Sequence, residues 1–141
     1  MSEAEQRVED GAAEFWAEGV RYHDVCLRAW PAKPVFTPEI IYQMSAMAME
    51  KMFMAWMTEQ SALPENHTLR DLVRAADKIE ALPIELRKDL LRMDRFMDLC
   101  PLVPMNLPKP QEADVPSFLS VMGECRVWLE PRVKVAETQL R

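Results

Sequence analysis

A chain of 141 residues with 49% apolar and 28% charged side chains can bury a core, which excludes a disordered polypeptide. Its net charge of −6 argues against a generic nucleic-acid coat, and three cysteines without Cys-x-x-Cys spacing read as reduced thiols rather than a disulfide framework. The start, Met1-Ser2-Glu3-Ala4-Glu5, is acidic and has no apolar signal core, so a cytoplasmic location is expected.

With only 3 glycines and no alternating apolar stretch of strand length, the expected fold is all-α. One domain spanning 1–141 is predicted, a largely antiparallel bundle of about five helices. Ser2 with Glu5 forms a capping box and opens the first helix. Two adjoining apolar stripes follow, Val8-Ala12-Phe15-Gly19-Tyr22-Cys26 and Trp16-Val20-His23-Leu27-Trp30, and the helix ends before Pro31. Residues 1–24 carry seven acids against Arg7 and Arg21, so most of the acidity sits here.

Thr37 as N-cap, Pro38 at the first helical position and Glu39 in the first turn open a second helix that runs to Gln60. Between Ile40 and Met57 only Gln43, Ser45, Glu50 and Lys51 are polar, so this helix is apolar on nearly every side. Glu50 and Lys51 lie near its centre, where each charge costs about 2.5–3.5 kcal/mol in a bilayer. That decides for a central core helix and against a membrane span. At least half of its six methionines fill a core and the remainder face a second subunit, so a homodimer is expected.

Thr68 and Asp71 make a second capping box for a third helix with the stripe Leu69, Leu72, Val73, Ala76 and Ile79, running to Pro83. Pro83 opens the fourth helix, whose stripe is Leu86, Leu90, Met93 and Met97. Between Leu99 and Ala113 prolines stand at 101, 104, 108 and 110, which excludes regular helix. The apolar Leu99, Leu102, Val103, Met105 and Leu107 predict an ordered proline-rich strap between helices four and five. Asp114 and Pro116 start the last helix, with stripe Phe118, Met122, Cys125, Leu129 and Val133 and a kink at Pro131.

Two cationic ridges stand on the third and fourth helices. Arg70, Arg74 and Lys78 recur at i, i+4, i+8; Lys88, Arg92 and Arg95 at i, i+4, i+7. Together they could line a groove for a phosphate-like anion, or be a solvated face neutralised by Asp71, Asp77, Asp89 and Asp94. His23-x-x-Cys26 lacks the third and fourth ligands zinc needs, so no metal and no cofactor is assigned. Asp94 and Asp98 lack a third group for acid–base work, and His67 reads as a turn or capping residue.

Tyr42 to Trp56, then Asn66-His67-Thr68-Leu69-Arg70-Asp71-Leu72, then Met93-Asp94-Arg95-Phe96-Met97, form an ordered set of marks over about residues 37–101. In that order they resemble the HEPN superfamily of small helical domains: the second block is similar to its "THDLRxL" helix start and the third to its "LDRYY" helix end. The resemblance implies a dimerising helical module that binds a protein partner such as a nucleotidyltransferase, or a nucleotide or RNA phosphate. Active members use an Arg followed by four to six residues and a His. Neither His23 nor His67 has such an Arg, and Leu99-Cys100-Pro101 replaces the family's "RYP". The expectation is therefore a non-enzymatic module. The alternatives are a divergent metal-independent ribonuclease and a purely structural assembly protein.

Overall fold

The structure, a computed structural model, describes residues 1–97 and 109–139. Its first helix, α1 (Glu3–Ala29), begins where Ser2 Oγ accepts the Glu5 N–H at 3.1 Å. It buries Ala12, Trp16, Gly19, His23 and Cys26. This row draws on both predicted stripes, leaving Val8 and Leu27 exposed at either end. Next comes α2 (Pro38–Glu59), where Thr37 Oγ1 accepts the Ile40 N–H at 3.3 Å. At its C-terminus the Ala62 N–H donates to the Met57 carbonyl and the Ser61 N–H to that of Thr58, with Ser61 at φ 53°. This is a Schellman closure, which normally takes glycine at the left-handed position.

The second helix organises the rest. Twelve of its 22 residues are buried, among them Ile41, Tyr42, Met49, Met52, Phe53 and Met57. A fully buried side chain of this size contributes roughly 1.5–3 kcal/mol, so no other element holds as much of the core. Its neighbour α1 runs antiparallel to it: Glu18 meets Lys51 at 3.3 Å, while farther along Cys26 meets Ser45 at 4.0 Å. The two helices approach most closely at Gly19, where a Cβ would lie 2.6 Å from Met52 Cγ and 3.0 Å from the Ala48 carbonyl oxygen.

Residues 60–68 double back along α2 and set His67 beside Glu50, nine positions before the helix end, or about 14 Å at 1.5 Å per residue. Thr68 then caps α3 (Leu69–Asp77), its Oγ1 accepting the Asp71 N–H at 3.1 Å and donating to Asp71 Oδ2 at 2.7 Å. This helix stops well before Pro83, because the Ile79 and Glu80 N–H groups both turn back to the Ala76 carbonyl. Pro83 is the N-cap of α4 (Ile84–Asp94), which buries Leu86, Leu90 and Met93. It runs antiparallel to α3: Arg70 pairs with Asp94 at one end, and Asp77 with Arg87 at the other.

The Met97 side chain and residues 98–108 lie outside the described residues, and with them the strap expected from Leu99 to Leu107. The chain resumes in a 3-10 turn, Glu112–Asp114, and enters α5 (Val115–Leu129), with Phe118, Met122, Cys125 and Leu129 inward. Tyr42 packs on Phe118 and Trp56 on Trp128 at ring separations of 5.1 and 5.2 Å, so α5 runs parallel to α2. Pro131 breaks the last helix instead of kinking it. A 3-10 turn, Glu130–Arg132, and an extended Val133 separate α5 from a sixth helix, α6 (Lys134–Gln139). Among the described residues there is no strand, and no helix is long and apolar enough to cross a membrane.

Candidate functional site

Three separated blocks of sequence meet where α2, the start of α3 and the end of α4 come together. Asp94, buried at the end of α4, accepts the Arg70 N–H through Oδ1 at 3.2 Å. Its Oδ2 faces Arg70 Nε at 3.2 Å. One carboxylate thus caps the α3 N-terminus and pairs with a side chain from its first turn. The Tyr42 hydroxyl donates to the Met93 carbonyl at 3.0 Å, and burial with the nearby Asp94 charge pushes its pKa well up. Tyr42, Phe96 and Phe118 pack ring against ring at 5.1–5.4 Å below this corner.

Beside it, the His67 Nδ1–H donates to Glu50 Oε1 at 2.6 Å. The imidazole is exposed and the carboxylate half-buried. Its neighbours are engaged elsewhere: Thr68 in its capping box, Arg70 with Asp94. Lys51, the other charge in the middle of α2, reaches Glu18 and lies over the Phe15 ring at 5.3 Å from its centre. The charged pair that interrupts the apolar helix therefore ties α2 to two other segments.

Of the six cations predicted on α3 and α4, four line two separate clefts, and Arg70 and Lys88 line neither. Arg74 and Lys78 line a cleft of about 500 Å³ beside residues 62–65, together with Glu65, Asp71 and Asp77. Arg92 and Arg95 line a small cleft against α5, with Asp89 and Asp114. Five carry an acidic neighbour: Arg70 with Asp94, Arg74 with Asp71 at 3.6 Å, Lys88 with Glu85 at 3.7 Å, Arg92 with Asp89 at 3.1 Å and Arg95 with Asp114 at 4.0 Å. Arg95 also stacks on Phe96. Lys78 has no ion pair among the described residues.

On α1, His23 and Cys26 turn inward to separate partners. Arg126 Nη1 donates to His23 Nδ1 at 2.8 Å and lies 3.2 Å from Asp24 Oδ1. Burial first, and then the Arg126 charge, lower the His23 pKa; Asp24 opposes them. The Cys26 thiol is raised by burial, against a hydrogen bond from Ser45. Cys125 is raised by burial and further by Glu124 and Asp89. Both cysteines are free and buried. Among the described residues no three His, Cys, Asp or Glu side chains cluster to hold a metal, and no side-chain polar atom is buried without a partner.

The Arg126 cluster forms one wall of an open apolar cleft of about 940 Å³ between the start of α4 and the outer face of α5. Pro83, Leu86 and Trp128 line it. Ile84 and Val127, at 69% and 74% exposure, stand on the same two helices, and Leu27 on α1 is half exposed. Arg132 closes one end: its guanidinium lies 4.0 Å from the Trp128 ring centre and donates twice to Glu80 Oε2, at 3.0 and 2.7 Å. That contact holds the Glu80 pKa below the usual carboxylate range. Sequence periodicity had not picked out this surface. Its signal lay in Ile84 and Val127, two β-branched residues off the core stripes of their helices. No family model, curated protein or solved structure matches the chain.

Proposed function

We propose that the chain is a HEPN-like, non-catalytic interaction module that pairs with a second copy of itself and docks a protein partner. The observation that carries this is a contrast within one molecule. Most of the cations on its third and fourth helices are engaged by acids of the same chain, while an apolar cleft with Ile84 and Val127 standing beside it is left open. The neutralised ridges on α3 and α4 favour a protein partner over a phosphate-bearing one. The meeting of Tyr42, Arg70, Met93 and Asp94 supports the HEPN-like organisation, because the residues that carry the resemblance touch one another. Self-pairing is supported by a stripe on the outer side of α2. Ile40 and Met47 are exposed there and Met44 is half-buried between them, at spacings of four and three.

The His67–Glu50 contact favours a second reading, a divergent ribonuclease, since a carboxylate that orients an imidazole is a common general-base arrangement. Incubation with structured and single-stranded RNA decides between them. The expected result is no cleavage by the parent protein. Cleavage that a His67→Ala variant loses would overturn the non-catalytic reading.

A further inference from the structure

The geometry points to the cleft between α4 and α5 as the seat of a basic amphipathic helix contributed by a partner protein, an inference that rests on the docking role proposed above. The cleft follows the groove between two antiparallel helices. Phe96 meets Phe118 at one end of that pair, and Leu86 shares the cleft with the second half of α5 at the other. Such a groove accepts a third helix through apolar side chains spaced i, i+3, i+4 and i+7. Gly123 leaves one wall bare, since a Cβ there meets nothing within 4 Å. An incoming helix can approach the α5 backbone closely at that point.

Charge selects the occupant. Both arginines on the rim are already neutralised from within, Arg126 by Asp24 and Arg132 by Glu80. The rim glutamates are not. Glu124 and Glu130 have no ion pair among the described residues, and Glu85 has only the exposed Lys88 at 3.7 Å. The rim therefore presents uncompensated negative charge around an apolar floor, which complements lysines or arginines flanking an apolar helix face. A second copy fits poorly, because a two-fold pairing on this face brings like-charged rims together in a chain of net charge −6.

The test uses the full chain and two labelled amphipathic peptides of about 18 residues, five helical turns. One carries leucine and lysine; its twin carries glutamate at every lysine position. Binding is read by fluorescence anisotropy, and self-pairing by light scattering on the same samples. The lysine peptide is expected to bind and its twin not to. Val127→Lys, at a surface position that leaves the core intact, should raise the Kd by roughly tenfold or more. Glu124→Gln combined with Glu130→Gln should raise it about fivefold. Val35→Lys, on the α1–α2 connector, should bind as the parent does. Equal binding of the two peptides, or parental binding by Val127→Lys, would overturn the assignment. Loss of self-pairing in Val127→Lys would give the cleft to a second copy and overturn it as well. Failure to bind while the protein still self-pairs sinks this seat alone; failure of both sinks the interaction role with it.

Discussion

Gly19 is required by the contact between α1 and α2. A methyl group at that position collides with Met52 and the Ala48 carbonyl, and backbone atoms of α2 cannot swing away as a side-chain tip can. Gly19→Ala should therefore destabilise the protein by about 1–2 kcal/mol in urea unfolding, overpacking outweighing the gain in helix propensity. Gly11 sits in the same helix with open space around its Cβ position, so Gly11→Ala should stabilise by roughly 0.5–1 kcal/mol. Ser61 carries the left-handed conformation of the α2 Schellman closure without being glycine. Ser61→Gly should raise stability by about 1 kcal/mol in the same assay.

His23 sets a pH dependence with a definite sign. Its folded pKa lies below the ordinary value of about 6.5, so the unfolded chain takes up the proton first. Its contribution to stability is complete above the unfolded pKa and is lost as pH falls below it toward the folded pKa. The groups that face it are Arg126 from α5 and Asp24 on α1, with Glu85 and Glu124 lining the same cleft. Between about pH 7.5 and pH 5.5 the urea midpoint should drop, and His23→Gln should shrink that drop. An undiminished drop in the variant would remove His23 as its cause.

At the scale of elements, α6 is held by a side chain from a distant helix. The Glu59 carboxylate accepts the Lys134 N–H at 2.8 Å and the Val135 N–H at 3.1 Å, doing from α2 what an N-cap residue does locally. Glu59→Ala should cost roughly 0.5–2 kcal/mol of local stability. Amide exchange at 134–139 should quicken while α2 stays protected; unchanged exchange would show that Val135 and Ala136 packing alone holds the helix.

Helix starts were legible because they depend on local chemistry. Ser2, Thr37 and Thr68 each cap the helix that their sequence positions announce. Ends and partners were less so, because they depend on distant groups. Nothing near Pro83 says that the Ile79 and Glu80 amides will turn back to Ala76, or that Arg132 will cross 52 residues to take Glu80. The all-α fold and the central place of α2 followed from composition and periodicity. The parallel run of α2 and α5 did not, since periodicity fixes which face is buried and not the direction of the neighbour. The cations on α3 and α4 were visible as ridges, but whether each faces an acid is a tertiary fact. The apolar cleft was written only as two residues off stripe, and assembling them needed the helices side by side.

Over the molecule as a whole, the surface divides into paired charge and open apolar area. Most cations of α3 and α4 pair with acids of the same chain, and among the described residues the inward-facing polar groups are satisfied. Among the described residues the stripe Ile40-Met44-Met47 on α2 and the cleft between α4 and α5 stay open. In the proposed reading the stripe serves self-pairing and the cleft a partner. Native mass spectrometry of the purified protein at high micromolar concentration tests this most directly, reporting subunit number and bound small molecules together. The expected result is a species at twice the 16.3 kDa chain mass, free of nucleotide, that Met47→Lys returns to the single-chain mass. A parent protein that stays at the single-chain mass, or carries a bound nucleotide, would contradict it.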